Sequence, residues 1–278
     1  MSQNKLRLYV AQMCSTNHHA GNIESLSTLV EDAAAAKADM LCLPEVSGLT
    51  NCRYSEAKKV IGDESDDPFL AACRELAASH RLWIHNGSIP VQDTGQPLPV
   101  NRTHLIAPDG TIAAKYDKIH LFDISLNEAK QVLESKRYAG GAESTLAQTP
   151  WGPMGLSICY DIRFPHLYRD YAKAGARIMF VPAAFTKPTG RAHWEVLLRA
   201  RAIENGCFIV AAAQTGNHDD GRETYGHSMV VHPWGDVLMD LGDAVQGQLI
   251  EIDLSESENA RRQIPSLVNE REYKNNFS

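Results

Sequence analysis

Short apolar runs alternate with amphipathic stretches along the chain, as expected for strands that alternate with helices. Polar alternation is missing from the apolar runs MLCLP, LSIC and IMFVP, which is typical of strands covered on both faces. The pattern predicts an α/β fold with a mixed sheet, helices on both faces, and hairpin turns at 108–110 and 233–236. Strands are predicted at 6–13, 40–44, 82–89, 102–107, 111–116, 154–159, 178–182, 207–213, 229–232, 237–241 and 248–254. Helices are predicted at 68–80, at 165–174, at 193–205, in a segment that begins at Asn22 as N-cap, and after residue 254.

Three chemically useful side chains lie near the ends of predicted strands. Glu45 follows MLCLP, Lys118 follows the strand 111–116, and Cys159 ends the strand 154–159. In α/β sheets, ligands bind at the carboxyl ends of strands, so we expect these three residues to lie close together.

The composition is that of an ordinary globular chain, with 44% hydrophobic and 22% charged residues among 278. We predict a single domain over residues 1–278, with its core at about 5–254 and a C-terminal extension. The net charge of −7, without a run of lysine or arginine, argues against nucleic-acid binding. No apolar segment approaches the roughly 20 residues that span a bilayer, and no signal-peptide pattern opens the chain. No membrane association and a cytoplasmic location are therefore predicted.

Six cysteines are scattered without a C-x-x-C pair, at Cys14, Cys42, Cys52, Cys73, Cys159 and Cys207. In a reducing compartment each is expected to be a small buried apolar residue, and no disulfide framework is predicted. Cys159 differs because it ends a buried strand before a polar turn and a proline-initiated helix. Its thiol is placed for attack, and N–H groups of the following turn can stabilise an oxyanion.

A nucleophilic cysteine needs a base, and the sequence offers histidine or a carboxylate. Glu45 beside apolar residues is predicted to have a raised pKa, which suits a general base, unless it reaches solvent. Lys118 beside a carboxylate and a thiol would stabilise the thiolate and the oxyanion, unless it is simply solvated. No distinguishing context for the base marks the histidines His85, His104, His120, His193 and His227.

Two polar stretches contain neighbouring histidines or acids, at His18-His19 and at His218-Asp219-Asp220. Because no metal-ligand spacing recurs, we predict solvated loops there rather than a metal site.

Three segments together resemble the signature blocks of the nitrilase superfamily of carbon–nitrogen hydrolases, namely LCLPEVSGL, KYDKIHLFD and GLSICYDIRFP. The order of the blocks is also that of the family, and the resemblance extends over nearly the whole chain. It implies a triad of Glu45, Lys118 and Cys159 and an α-β-β-α sandwich of two sheets with helices outside. A second glutamate assists in this family, and the segment VLES favours Glu134 over Glu128 for that role.

Further segments resemble the Nit branch of this superfamily, which includes deaminated glutathione amidases; they are YDIRFPHLYR, VPAAFTKPTGRAHWEVLLRARAIEN, AAAQTGNH and YGHSMVVHPWGDVL. The sister ω-amidases share the triad and the HW–LLRARA helix, so they remain an alternative. A catalytically silent scaffold of the same fold is a second alternative. The loop between residues 123 and 138 gives no clear resemblance.

The resemblance implies amide hydrolysis through an acyl-thioester on Cys159. Lys118 and the backbone N–H of Tyr160 would hold the oxyanion. Substrate binding would fall to Arg163, the guanidinium best placed for a carboxylate, with Phe185 and Thr186 lining the site.

Four neighbouring side chains have structural interpretations. A salt bridge to Asp161 is the alternative for Arg163. Arg201 and Glu204 are expected to pair at i, i+3, and Trp194 is expected to pack.

No metal and no organic cofactor are expected, since thioester chemistry needs neither. The expected ligand is a small-molecule amide. By resemblance the protein forms a homodimer or a larger homo-oligomer, with the helix 165–174 and the C-terminal tail as candidate interface elements.

Overall fold

Two β-sheets dominate the computed structural model, which describes residues 4–51, 53–93, 95–127 and 130–276. The strands are β1 (Lys5–Gln12), β2 (Met40–Cys42), β3 (Trp83–His85), β4 (Ile89–Val91), β5 (Val100–Ile106), β6 (Ile112–Asp117), β7 (Asp123–Asn127), β8 (Lys130–Leu133), β9 (Thr145–Thr149), β10 (Gly152–Leu156), β11 (Ile178–Phe180), β12 (Phe208–Ala211), β13 (Thr215–Asn217), β14 (Glu223–Tyr225), β15 (Met229–Val231), β16 (Val237–Asp240) and β17 (Gln246–Asp253). The α-helices are α1 (His19–Ala35), α2 (Tyr54–Ala57), α3 (Pro68–His80), α4 (Pro165–Lys173), α5 (Lys187–Asn205) and α6 (Ser255–Gln263).

Each large sheet contains a group of three adjacent parallel strands. The first sheet has the order β17-β1-β2-β3-β5-β4, with β6 beside β5, and its strands β1, β2 and β3 are parallel. The second sheet has the order β16-β15-β12-β11-β10-β9, and β10, β11 and β12 are parallel. The carboxyl ends of β2 and of β10 lead directly into the residues expected to carry chemistry.

The two sheets pack face to face with helices outside, and β1 illustrates how the sequence specifies this. Leu6, Leu8 and Val10 belong to the core between the sheets, whereas Tyr9 and Ala11 belong to the core beneath α1 and α3. Side chains alternate between the faces of a strand, so the segment 8–11 of β1, which is covered on both faces, must be apolar. On the far side, α4 packs on β10 and α5 on β12 and β15. The predicted α-β-β-α sandwich is confirmed.

Helix limits agree with the sequence pattern in one case and differ in two. The helix α3 spans the predicted residues 68–80. The helix α1 begins at His19 rather than after Asn22, because the His18 side chain accepts the Gly21 N–H as N-cap. Asn22 instead is buried, where its side chain accepts the Thr16 N–H and donates to the Gly48 carbonyl oxygen. The helix α5 begins six residues earlier than predicted, since proline is compatible with a first helical turn.

The predicted strand 82–89 is in fact two strands, β3 and β4, and the short strands β7, β8, β9, β13 and β14 were not predicted. Their segments are short and polar, so they lack the apolar pattern that identifies buried strands. Both predicted hairpins are present, as β5–β6 and β15–β16. Among the described residues, no helix combines the length and apolar character needed to cross a membrane.

Candidate active site

Glu45 lies just beyond β2, in a segment whose backbone is held tightly on both sides. Its carbonyl oxygen accepts a hydrogen bond from Gln214 Nε2 at 2.9 Å. The preceding Pro44 packs directly against Gly87, whose φ of +70° and missing side chain permit this approach, since a Cβ there would lie 1.8 Å from Pro44 O. The Glu45 side chain is only 5% exposed, so the solvent-facing alternative is wrong.

Lys118 follows β6 and joins two buried carboxylates. Its Nζ donates to Glu45 Oε1 at 2.9 Å and lies 2.9–3.0 Å from both carboxylate oxygens of Glu134. Lys118 is 2% exposed, so the solvated alternative is wrong for this residue too. Glu134 opens a short 3₁₀ helix, and its carboxylate also accepts the Phe122 N–H. The structure thus brings Glu134 to the site, whereas its rival Glu128 lies outside the described residues.

Cys159 begins another short 3₁₀ helix, and since the strand β10 has already ended at Leu156, the prediction that Cys159 ends a strand is wrong. Its φ is +51°, a left-handed conformation that is rare and costly for a residue with a side chain. The Cys159 N–H donates to Pro182 O at 2.9 Å, which anchors the turn to the end of the neighbouring strand β11. The Tyr160 N–H lies in the first turn of this helix, where backbone donors lack intrahelical partners.

Asp161 connects the nucleophile turn to the strand that carries Lys118. Its carboxylate accepts the Ile158 N–H at 2.8 Å and the Tyr116 hydroxyl at 2.8 Å. It also accepts the His120 N–H at 3.0 Å, and His120 Nδ1 lies 2.7 Å from the same oxygen. Asp161 is fully buried, so the position of Cys159 relative to Lys118 is fixed by a continuous set of hydrogen bonds.

The charges of Glu45 and Lys118 stabilise one another. Burial raises the pKa of the Glu45 carboxyl, but the Lys118 ammonium outweighs burial and holds this pKa below its ordinary value. Burial likewise lowers the pKa of Lys118, but Glu134 and Glu45 together hold it well above its ordinary value. The prediction of a raised pKa for Glu45 is therefore wrong, because the isolated segment did not reveal how close the ammonium lies.

The surroundings of Cys159 favour the neutral thiol. Burial and the Glu45 carboxylate raise its pKa well above the ordinary value, and the Lys118 ammonium only partly opposes them. The Lys118 ammonium acts in the expected direction, since it lowers the pKa of the Cys159 thiol, but burial and the Glu45 carboxylate outweigh it. A neutral thiol beside an ionised carboxylate can still react if its proton passes to Glu45 during attack.

The predicted substrate residues are close in sequence to residues of this site. Ala184 donates its N–H to Glu45 Oε2 at 2.9 Å, and Phe185 and Thr186 follow it along the chain. The Arg163 guanidinium lies 5.8 Å from the ring centroid of Tyr160 and 5.8 Å from that of Phe185.

The partner of Arg163 differs from the expected one. Arg163 Nη2 lies 3.1 Å from His193 Nδ1, whereas the Asp161 carboxylate binds the groups named above, so the salt-bridge alternative is wrong. Arg201 does pair with Glu204, at 2.7 Å. Trp194 is buried, and its indole N–H donates to His227 O, so the packing interpretation is confirmed.

The stretch predicted as a solvated loop at His218 is partly buried. His218 is 5% exposed, and its ring nitrogens lie 2.9 Å from Ser15 O and 2.8 Å from Thr224 Oγ1. The Asp220 side chain is buried as well. Within the described ranges, no three His, Cys, Asp or Glu side chains are grouped in a way that could hold a metal ion.

The described cysteines are all free, and Cys42, Cys73, Cys159 and Cys207 are buried while Cys14 is only half-buried. Cys52 lies outside the described residues.

Two residues at the site were missed by sequence reasoning. Asn101 donates to Glu45 Oε1 at 3.0 Å, and Tyr138 has its pKa raised to about 12 by burial and by the Glu134 carboxylate. No local pattern distinguishes either of them, because both depend on contacts distant in sequence.

Comparison with known proteins identifies the family. The carbon–nitrogen hydrolase family model matches residues 7–262. The chain belongs to the carbon–nitrogen hydrolase family. The predicted resemblance to the nitrilase superfamily is confirmed, and so is the enzyme class, a hydrolase acting on carbon–nitrogen bonds other than peptide bonds.

Two relatives illustrate how this carbon–nitrogen hydrolase is related to characterised proteins. It is 38% identical over 278 residues to the deaminated glutathione amidase of Dictyostelium discoideum, covering 94% of this chain and 93% of that protein. It is 41% identical over 258 residues to the nitrilase and fragile histidine triad fusion protein NitFhit of Caenorhabditis elegans. That match covers 92% of this chain but only 58% of the fusion protein.

Solved structures share the fold of this hydrolase. The crystal structure of C. elegans NitFhit superposes with a TM-score of 0.90 at 38% identity, over 98% of this chain and 66% of that one. Saccharomyces cerevisiae Nit3, a member of branch 10 of the nitrilase superfamily, superposes with a TM-score of 0.85 at 26% identity. That superposition covers 95% of this chain and 96% of Nit3.

Proposed function

We propose that this hydrolase cleaves deaminated glutathione to 2-oxoglutarate and cysteinylglycine, with Cys159 as nucleophile. The observation that carries the proposal is Lys118, which lies between two buried glutamates beside a neutral thiol. The choice of substrate is supported by the name of the D. discoideum relative, which matches along nearly its whole length.

In the first half of the reaction, Cys159 Sγ adds to the amide carbonyl carbon while the thiol proton passes to Glu45. The carbonyl electron pair moves to oxygen, where Lys118 Nζ and the Tyr160 N–H stabilise the negative charge. The C–N bond then breaks, and the proton on Glu45 passes to the leaving nitrogen. Glu134 assists by holding the Lys118 ammonium at 2.9–3.0 Å.

In the second half, a water molecule gives a proton to Glu45 and attacks the thioester carbonyl. The C–S bond breaks, the carboxylic acid product forms, and the sulfur recovers the proton from Glu45. The carboxylate of Glu45 is thus a base in both additions and an acid in both eliminations.

The substrate carries an α-keto acid at its acyl end, and we assign its carboxylate to Arg163. The guanidinium lies near two aromatic rings and beside His193, which limits its motion. A planar guanidinium can bind a carboxylate through two parallel hydrogen bonds. Phe185 and Thr186 would contact the carbon chain between the carboxylate and the scissile bond.

Assays with deaminated glutathione and with α-ketoglutaramate, run separately, test this assignment. We expect kcat/KM to be at least about 10-fold higher for deaminated glutathione. The reverse preference would identify an ω-amidase. No turnover of either compound, together with no acylation of Cys159 by mass spectrometry, would identify a silent scaffold.

We further propose that the protein is a single-domain homodimer or larger homo-oligomer, and that it acts in the cytoplasm. In the C-terminal tail, Val268 is 82% and Tyr273 is 85% exposed, so both side chains are available for contact with a second copy of the chain. Light scattering should give a mass of at least twice 30.7 kDa. A monomer in solution would contradict the assembly, and secretion of the tagged protein would contradict the location.

A further inference from the structure

Asn101 contacts both the proposed base Glu45 and Lys118. It lies in β5 and is 1% exposed. Its Nδ2 donates to Glu45 Oε1 at 3.0 Å, and its backbone oxygen accepts the Lys118 N–H at 2.9 Å. One strand residue therefore positions the base through its side chain and the cation through its backbone.

The hydrogen bonds around Glu45 are divided unequally between its two oxygens. Oε1 accepts from Lys118 Nζ at 2.9 Å and from Asn101 Nδ2 at 3.0 Å. Oε2 accepts from the Ala184 N–H at 2.9 Å. Each carboxylate oxygen offers about two acceptor positions, so the donors on Oε1 occupy both of its positions. The position that remains for a transferable proton is on Oε2.

We propose that Asn101 is a positioning residue that directs proton transfer to Oε2 of Glu45. When Cys159 attacks, the S–H bond breaks, the S–C bond forms, and the proton binds Oε2 rather than Oε1. The same oxygen then returns the proton to the leaving nitrogen. This inference rests on the proposed role of Glu45 as the base, and adds which of its atoms carries the proton.

The rest of the Asn101 side chain agrees with this role. Its Oδ1 is buried, and within the described part of the chain it has no hydrogen-bond partner. A buried acceptor without a partner costs free energy, so the amide is not optimal for stability alone. The amide orientation is determined by Glu45, since an ionised carboxylate requires a donor opposite it.

Asn205 provides a matched control at a distance from the site. It is also 1% exposed, its Nδ2 donates to Arg201 O at 3.0 Å, and its Oδ1 is likewise buried without a partner. It lies at the end of α5, so a change there has a similar effect on packing but none on Glu45.

The test compares Asn101→Leu and Asn101→Asp with Asn205→Leu and Asn205→Asp, by measuring kcat/KM between about pH 4 and pH 8. Removing the donor to an ionised carboxylate raises its pKa, so the acid limb should move up by about one pH unit in Asn101→Leu. The shift should be larger in Asn101→Asp, because two adjacent carboxyl groups share a proton. We expect kcat to fall by about 10- to 100-fold while KM changes less than about 3-fold.

An acid limb that stays in place in both Asn101 variants, or that moves equally in the Asn205 variants, would overturn the inference. The rate of Cys159 alkylation by iodoacetamide against pH separates this failure from failure of the proposed function, since it needs no substrate. If Glu45→Gln leaves that profile unchanged, Glu45 is not the base. If Glu45→Gln changes it and the Asn101 variants do not, only the role of Asn101 is wrong.

Discussion

Two ion clusters, each around a buried cation, lie side by side on the hairpin β5–β6, and only one of them can perform chemistry. Asn101 and Lys118 face Glu45, while the adjacent residues Arg102 and Asp117 face away and belong to a second cluster. We call this second group, Arg102 with Glu64, Asp93 and Asp117, the arginine cluster. Neighbouring residues of a strand point to opposite faces, so one short sequence supplies both groups.

The clusters differ in how their cations are used. Arg102 donates to Asp117 at 2.6 and 2.8 Å, to Asp93 at 2.6 Å and also to Glu64, so its planar guanidinium is nearly saturated. Lys118 is bound on two sides by Glu45 and Glu134, and the neutral thiol of Cys159 lies near the same ions. Both clusters therefore contain a buried cation among carboxylates. Only the cluster of Lys118 also contains a nucleophile, the Cys159 thiol, close to these ions.

The largest effect on activity is expected at the nucleophile, which only the active-site cluster contains. Replacing Cys159 by alanine should lower kcat/KM by more than about 10⁴-fold, because no other group can form the thioester. The free energy of unfolding in urea should change by less than about 1 kcal/mol, since few atoms are removed. Turnover within 10-fold of wild type would contradict the assignment of the nucleophile.

The second effect is expected from Lys118→Met. Without the ammonium, the oxyanion loses one donor, and kcat should fall by about 100- to 1000-fold. Without the ammonium, burial would also hold the folded-state pKa of Glu45 above that of the unfolded chain, so stability should be retained at low pH and lost as pH rises.

Lys115→Met is the control for that variant, because Lys115 is half-exposed and lies 3.4 Å from Glu64 of the arginine cluster. Its kcat should stay within about 3-fold of wild type. An equal loss of kcat in both variants would show that catalysis depends on the total charge of the hairpin and not on the position of Lys118.

The third effect concerns the arginine cluster itself. Arg102→Met leaves three carboxylates without their shared cation and should lower the free energy of unfolding by about 3 kcal/mol. The kcat of the folded fraction should remain within about 3-fold of wild type. Urea unfolding and an assay corrected for folded fraction give both values, and a large loss of kcat at full folding would mean that the clusters are coupled.

The smallest effect is expected from Glu64→Gln, through the pH dependence of stability. Hydrogen bonding to His104, together with Arg102, holds the pKa of Glu64 well below its ordinary value. Its stabilising contribution is thus fully present above the unfolded pKa of about 4.5 and declines as pH falls from there towards the lower folded-state pKa. The variant should lose about 1 kcal/mol at pH 7 and a smaller amount at about pH 3, by urea titration. Equal losses at both pH values would contradict this role.

The sequence predicted which residues form the site better than it predicted how their pKa values are shifted. Glu45, Lys118 and Cys159 follow strand ends, and strand ends can be located from apolar runs. The direction of the Glu45 pKa depends on an ammonium 73 positions away in the chain, so no local pattern could reveal it. Asn101 was missed as a positioning group for the same reason, since an asparagine in a strand is ordinary by itself, and Asp161 was considered only as a partner of Arg163.

The hydrogen bonds of Asp161 join the turn that carries Cys159 to the hairpin that precedes Lys118, and this has a consequence for how the active site forms. Glu45 and Lys118 belong to the first sheet, whereas Cys159 and Ala184 follow strands of the second. A chain with only one sheet formed would hold the thiol without its base, or the base without its thiol. Reactivity at Cys159 is therefore a property of the docked sandwich, and loss of turnover in denaturant should coincide with separation of the two sheets.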